Sequence, residues 1–244
     1  MRDNHLHTHF SYDCQTAFED YINGFTGEFI TTEHFDLSNP YTGQDDVPDY
    51  SAYCQKIDYL NQKYGNRFKK GIEIGYFKDR ESDILDYLKN KEFDLKLLSI
   101  HHNGRYDYLQ EEALKVPTKE LLADYFNRME FAIGRVEAHV LDHFDYGFRK
   151  LNLDVEDLKP FETQLKRIFR TMLSKGLAFE LNTKSLYLYG NEKLYRYALE
   201  ILKQLGCKQY SIGSDGHIPE HFCYEFDRLQ CLLKDYQIDE NHLI

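Results

Sequence analysis

The chain contains no tryptophan, no C-x-x-C pair and no run of lysine or arginine longer than two. It also lacks an apolar stretch long enough to cross a bilayer, which takes about 20 residues. Each absence removes a class. With a net charge of −11 and no basic patch, the chain repels nucleic-acid backbones and anionic membranes, so neither is an expected partner. The five cysteines, Cys14, Cys54, Cys207, Cys223 and Cys231, are odd in number, which argues against a disulfide framework and for a reducing compartment. No signal peptide precedes the first chemistry-bearing residues, so the cytoplasm is the expected location. No G-x-G-x-x-G follows any strand candidate, which counts against a dinucleotide-binding sheet.

What remains is ample for a core. Hydrophobic residues make up 42% of the 244, and 20 Tyr with 17 Phe carry heavy aromatic packing, much of it bearing a hydroxyl. There is no internal repeat and no low-complexity linker, and one domain over residues 1–244 is expected.

Seven short apolar runs read as buried strands. They are residues 3–8, "EFITTEH" ending at His34, "KKGIEIGYF" carrying Glu73, "DLKLLSIHH" ending at His101 and His102, "EAHVLDH" ending at His143, "GLAFELNT" reaching Asn182, and "QYSIGSDGH" with Asp215 and His217. Helical patterns fill residues 49–65, 79–93, 117–136, 161–176 and 191–206, with Thr118 a candidate N-cap and Gly65, Gly176 and Gly206 candidate C-caps. "SNPYTGQDDVPD", after His34, reads as a loop. Strand alternating with helix implies parallel β-structure with right-handed crossovers. An α/β barrel is expected, with a doubly wound open sheet as the alternative. In almost every run the ionisable residue falls at the C-terminal end, the face on which parallel barrels build their active sites.

His5 and His7 lie two apart in an extended segment and so point the same way. Glu73 sits between two isoleucines, and a buried carboxylate needs a partner, of which a metal is one. Of the neighbours His101 and His102, only one can face a barrel mouth, and His101 is the better candidate. His143 is flanked by Asp142 and Asp145, either of which could orient its second ring nitrogen. His139 reads as a hydrogen-bonded core histidine. Asp215 and His217 repeat the two-apart spacing. A nitrogen and oxygen donor set without cysteine suits zinc, manganese or iron.

Taken in order, "HLHTHFSYD", "TEH", "GIEIG", "SIHH", "DHFD", "ELNT" and "GSDGH" resemble the PHP (polymerase and histidinol phosphatase) family along nearly the whole chain. The resemblance implies a distorted (β/α)7 TIM-like barrel that holds two or three divalent ions (Zn, Mn or Fe) and hydrolyses phosphoesters. The length and the "DNHLHT" opening are most similar to stand-alone members that convert L-histidinol phosphate to L-histidinol and phosphate in histidine biosynthesis, with a metal-bridging hydroxide as nucleophile. A nucleotide, an oligonucleotide or phosphotyrosine is the alternative substrate. A monomer or small homo-oligomer is expected. A barrel that binds metal without catalysis would predict missing ligands, and none is missing from the pattern.

Carried over by motif, His5, His7, Glu73 and Asp215 hold a first metal. Glu73 bridges to a second held by His101 and His143, and Asp13, His34 and His217 hold a third. Asp13 departs from the family, where many members place a histidine, and a hard carboxylate there shifts preference toward manganese or iron or weakens the third site. Asp215 and Glu73 are the expected catalytic residues, Asp215 also orienting the nucleophile. The substrate-binding candidates are His9, His102, Arg105, Arg149, Glu180 and Asn182. Glu180 could pair with the substrate ammonium, and the arginines could clamp phosphate bidentately. The long segment after His34 is placed to cover the site.

Overall fold

Along the strands, positions of equal parity read apolar first and ionisable last, and this gradient organises the molecule. The computed structural model describes residues 1–22 and 25–244. Its strands are β1 (Phe29–Asn39), β2 (Gln44–Asp46), β3 (Phe68–Gly75), β4 (Leu95–Ser99), β5 (Val140–Leu141), β6 (Ala178–Asn182) and β7 (Tyr210–Gly213). They form one sheet in the order β2-β1-β3-β4-β5-β6-β7. Every pairing is parallel except β1 with β2.

On one face, Ile30, Leu95, Leu97, Val140 and Ala178 pack as a separate small core. Two residues further along the same strands stand Thr32, Ser99, Asp142 and Glu180, and beyond them His34, His101 and Asn182. A strand's period of two keeps all of these on one side. That side is therefore dry at its N-terminal end and ionisable at its C-terminal end. The opposite parity carries Ile72, Ile74, Leu98, Phe179 and Leu181, which join the main core.

The helices are α1 (Phe18–Tyr21), α2 (Tyr50–Tyr64), α3 (Glu81–Leu88), α4 (Glu111–Leu114), α5 (Thr118–Ala132), α6 (Val155–Leu158), α7 (Glu162–Ser174), α8 (Glu192–Gln204) and α9 (Phe226–Tyr236). The long ones bury stripes at helical spacing, such as Leu165, Ile168, Phe169 and Met172 on α7. Asp49 caps α2, accepting from the Ala52 amide at 3.0 Å, and Gly65, Gly176 and Gly206 follow their helices with positive φ. Thr118 is the first helical residue of α5 rather than its cap, because the preceding position is Pro117.

Three elements depart from the sequence expectation. Residues 3–8 form no regular strand. They wedge between β7 and β1 through a few backbone bonds: Asn4 N to Ile212 O and Asp215 N to His5 O at 2.8 Å, His7 N to Gly216 O at 2.9 Å, and Thr32 N to Leu6 O at 2.8 Å. The barrel is thus not closed by a ladder of named strands, and this wedge bridges β7 and the N-terminal part of β1. The stretch after His34 is a β-hairpin rather than a loop: β1 runs on to Asn39 and returns as β2. Its turn residues "NPYTG" obscured a strand only three residues long. The helix α9 was not expected at all.

The wedge is anchored by Asp3. This buried carboxylate accepts from Ser214 N and Cys223 N at 2.9 Å. No helix of the described residues is long and apolar enough to cross a membrane.

Candidate metal centre

Parallel registry sets His34 of β1 beside Glu73 of β3. Glu73 is the hub. Its Oε1 lies 2.8 Å from His101 Nε2 and 2.9 Å from His143 Nε2. Its Oε2 lies 2.9 Å from His34 Nδ1 and 3.5 Å from the Nε2 atoms of both His5 and His7. Five histidines from four separate segments thus face one carboxylate, and all six residues are buried.

Because Leu6 turns into the core, His5 and His7 emerge on one side, with their Nε2 atoms 3.0 Å apart. Asp215 follows β7 with φ of 52°, in the left-handed region that costs a non-glycine residue about 1 kcal/mol or more. That turn brings its Oδ1 to 3.8 Å from His7 Nε2 and 3.9 Å from His5 Nε2. Asp13 Oδ2 lies 3.1 Å from His217 Nε2 and 3.5 Å from His34 Nε2. The nine ligand candidates lie in one mouth, but the donor sets do not follow the expected groups: Glu73 and His143 share a set with His5 and Asp142, His34 and His101 share one with Asp36, and Asp13 is in none.

The donors fit a metal. Among the described residues, buried Glu73 Oε2, Asp36 Oδ2, His34 Nδ1 and His143 Nδ1 make no hydrogen bond. Four overlapping sets of three or four such groups have donor atoms within 4.8 Å of one another, and all use nitrogen and oxygen only. Unpaired buried charge is costly, and divalent cations are what such a set accommodates.

Sequence reasoning missed most of the residues behind the ligands. Asp36 accepts from His101 Nδ1 at 2.8 Å, which leaves His101 Nε2 aimed at Glu73. Its signal was available, as an H-x-D pair on one strand face. Glu180 Oε1 lies 2.8 Å and Asp142 Oδ1 3.2 Å from His5 Nδ1. Ser99 Oγ reaches both Asp142 Oδ2 (2.6 Å) and Glu73 Oε1 (2.9 Å). Neither neighbour of His143 orients its second nitrogen. Asp142 serves His5, and Asp145 accepts from Ser185 Oγ and Asn191 Nδ2 at 2.8 Å.

The electrostatics follow from this crowding. Burial alone would lower the His5 imidazole, yet Asp142, Glu180 and Glu73 hold it well above the usual histidine range. His7 is pushed well below that range by burial and by the neighbouring His34 and His217. Burial opposes ionisation of Asp215, but Lys184 and Arg149 keep its carboxyl well below the usual carboxylate range.

The substrate candidates divide. Arg149 is buried and gives Asp215 Oδ2 a hydrogen bond from Nη1 at 2.7 Å, while its Nε and Nη2 make no hydrogen bond among the described residues. Lys184, unnoticed in the sequence, donates to the Asp215 carbonyl at 2.9 Å from a single π-helical turn after β6. His9 is exposed and lines a cavity of about 230 Å³ shared with Tyr12, His34 and Asp46 of the hairpin. The other four do not join them. His102 packs on Phe77 and accepts from Gly104 N at 3.1 Å. Arg105 is exposed. Glu180 is committed to His5 and accepts from Asn182 Nδ2 at 3.0 Å, so it has no free edge for an ammonium, and Asn182 in turn accepts from Ser185 N at 2.9 Å. His139 accepts from Lys96 N at 3.1 Å, at the far end of β5.

Two glycines make room for the carboxylates behind the ligands. A Cβ on Gly75 would overlap the Asp36 carboxylate and stand 3.1 Å from His101 Nδ1, and one on Gly213 would overlap Glu180 Oε1. Gly75→Ala is expected to push Asp36 off His101 and weaken metal binding about 10–100-fold while circular dichroism stays unchanged. Titration against a competing chelator measures it, and wild-type affinity would rule the arrangement out.

Comparison with known proteins bears on the family and the fold. The PHP domain family model matches residues 3–184. A probable histidinol-phosphatase of Thermotoga maritima is 29% identical, the alignment covering 98% of this chain and 94% of that protein. A histidinol-phosphatase of Lactococcus lactis is 27% identical over 95% of this chain and 90% of that protein. A crystal structure of histidinol phosphate phosphatase from Lactococcus lactis, complexed with Zn, L-histidinol and phosphate, superposes with a TM-score of 0.85 at 25% identity. It covers 97% of this chain and 94% of that one. With a family model that spans most of its length, relatives aligned nearly end to end and a matching fold, the chain belongs to the PHP domain family.

Proposed function

We propose that this chain hydrolyses the phosphate monoester of L-histidinol, releasing L-histidinol and inorganic phosphate, and that residues 1–244 act as one barrel domain to do so. The observation that carries the reading is the convergence of five histidines on Glu73 at the C-terminal mouth of a sheet whose fold matches a phosphatase holding Zn, L-histidinol and phosphate.

His5, His7, Glu73 and Asp215 would hold one divalent ion, Glu73, His101 and His143 a second, and Asp13, His34 and His217 a third, with Zn, Mn or Fe all compatible with the donors. Bound there, such ions would polarise the phosphoryl oxygens and bring the pKa of water toward neutrality. The chain's own residues do the rest. Asp215 is fixed from behind by Arg149 and Lys184, so it meets the cluster in one orientation. Arg149 Nε and Nη2, which make no hydrogen bond among the described residues, would be its donors to phosphoryl oxygens, and charge-assisted bonds to phosphate are among the strongest a protein makes. Arg149 and Lys184 also give an acidic protein a cationic patch where an anion must dock. The cavity beside His34 is walled by Asp45 and Asp46 of the hairpin, which suits the ammonium and imidazole of L-histidinol and disfavours a second phosphate. All five cysteines are free, which suits the cytoplasm.

The test is a steady-state comparison of kcat/KM for L-histidinol phosphate against a panel of nucleoside monophosphates, phosphotyrosine and simple phosphomonoesters. A preference above about tenfold, roughly 1.4 kcal/mol in the barrier, is expected. A flat profile would leave a phosphatase and remove this substrate.

A further inference from the structure

We propose that Glu33 and Ser11 form a relay that fixes the tautomer of His7 and thereby sets how tightly His7 binds metal; the inference rests on the reading of His7 as a ligand. Glu33 precedes His34 on β1 and so points to the other face of the strand, beneath the segment that follows the H-x-H pair. It is fully buried. Its Oε2 accepts from Ser11 Oγ at 2.7 Å and from Thr8 N at 3.1 Å, and its Oε1 accepts from Thr8 Oγ1 at 2.7 Å. None of these partners is a cation. A buried carboxylate surrounded by neutral donors costs stability unless the arrangement serves something else.

Proton counting shows what it serves. A serine hydroxyl has one hydrogen and two lone pairs. A carboxylate cannot donate, so the Ser11 hydrogen goes to Glu33. The two other contacts of Ser11 Oγ must therefore donate to it. One is the His34 amide at 3.0 Å, and the other is His7 Nδ1 at 3.1 Å. His7 then carries its hydrogen on Nδ1, and its Nε2 lone pair faces His5 and Glu73. With the hydrogen on Nε2 instead, Nδ1 and Ser11 Oγ would oppose lone pair to lone pair in a dry pocket.

His5 and His101 are backed directly by carboxylates, whereas the charge behind His7 acts through a hydroxyl. Removing one oxygen atom disconnects it. Glu33 and Ser11 are positioning residues, since neither lies among the proposed ligands.

The experiment uses the full chain, freed of metal by chelator, and reads three quantities: ¹⁵N-imidazole NMR of His7, Zn²⁺ affinity by chelator competition, and the unfolding midpoint. In the wild type, His7 is expected as the Nδ1–H tautomer. Ser11→Ala, which leaves the His34 amide and Glu33 each short of a partner, is expected to lower the metal-free midpoint by several degrees and to weaken Zn²⁺ binding about 10–100-fold, and Ser11→Thr, which restores the hydroxyl, to recover most of both. A wild-type His7 protonated on Nε2 overturns the relay whatever the variants do. So does a Ser11→Ala variant of wild-type affinity when His7→Ala binds weakly. If His7→Ala itself binds Zn²⁺ normally, the ligand reading fails, and the relay with it.

Discussion

Glu73→Gln is expected to lower kcat/KM for L-histidinol phosphate by about 10³-fold, near 4 kcal/mol in the barrier, without unfolding the protein. The amide keeps the shape of the side chain and one acceptor oxygen. It removes the one charge that His5, His7, His34, His101 and His143 all face, and it turns an N–H₂ toward ring nitrogens that need an acceptor or a metal. Chelator-stripped wild type should fall at least as far and recover on addition of Zn²⁺, whereas the variant should not recover. Activity and metal content measured on the same sample decide the matter. A variant with full metal content and activity within tenfold of wild type would remove Glu73 from the site.

Arg149→Met should produce two separable losses. Arg149 lies between Asp215 and Asp145, with Nη1 2.7 Å from one and Nε 3.7 Å from the other. Deleting it leaves buried carboxylates facing no guanidinium, which costs about 3–5 kcal/mol. For a chain of this size that lowers the unfolding midpoint by roughly 6–20 °C. The catalytic loss should be about 10²–10³-fold in kcat/KM, from the missing donors to phosphate. Arg149→Lys keeps the charge and should restore most of the stability. It cannot restore the planar fork, so kcat/KM should stay at least about tenfold below wild type. Wild-type kcat/KM in the lysine variant would confine Arg149 to a structural role.

The candidate ligands were legible because strand geometry writes them at fixed places. A period of two, a C-terminal strand end and an ionisable residue out of keeping with its apolar neighbours were enough for Glu73, His34, His101, His143 and Asp215. What lies behind them was not legible. Glu180 looked like a substrate group because its strand end was visible, whereas the histidine it backs comes from a segment 175 positions away. Lys184 depends on a π-helical turn that no propensity announces. The opening segment was read as extended, but it pairs with strands remote in sequence and too briefly to count as a strand itself. Gly75 and Gly213 look like ordinary strand punctuation until the carboxylates beside them are placed.

The wedge formed by residues 3–8 also bears on the order of assembly. Asp3 reaches Ser214 across 211 positions, and Asn4 reaches Ser211 across 207. A growing chain presents its H-x-H pair early and supplies the seat for that pair only after β7 is made. Until then the pair is a free two-nitrogen chelator, open to whatever cation the cell offers. Loop-closure entropy grows only with the logarithm of length, so late docking costs little at equilibrium, about 0.6 kcal/mol per doubling. Its burden falls on rate, because contacts between distant segments form slowly. A cation met before that docking would find only part of the proposed donor set.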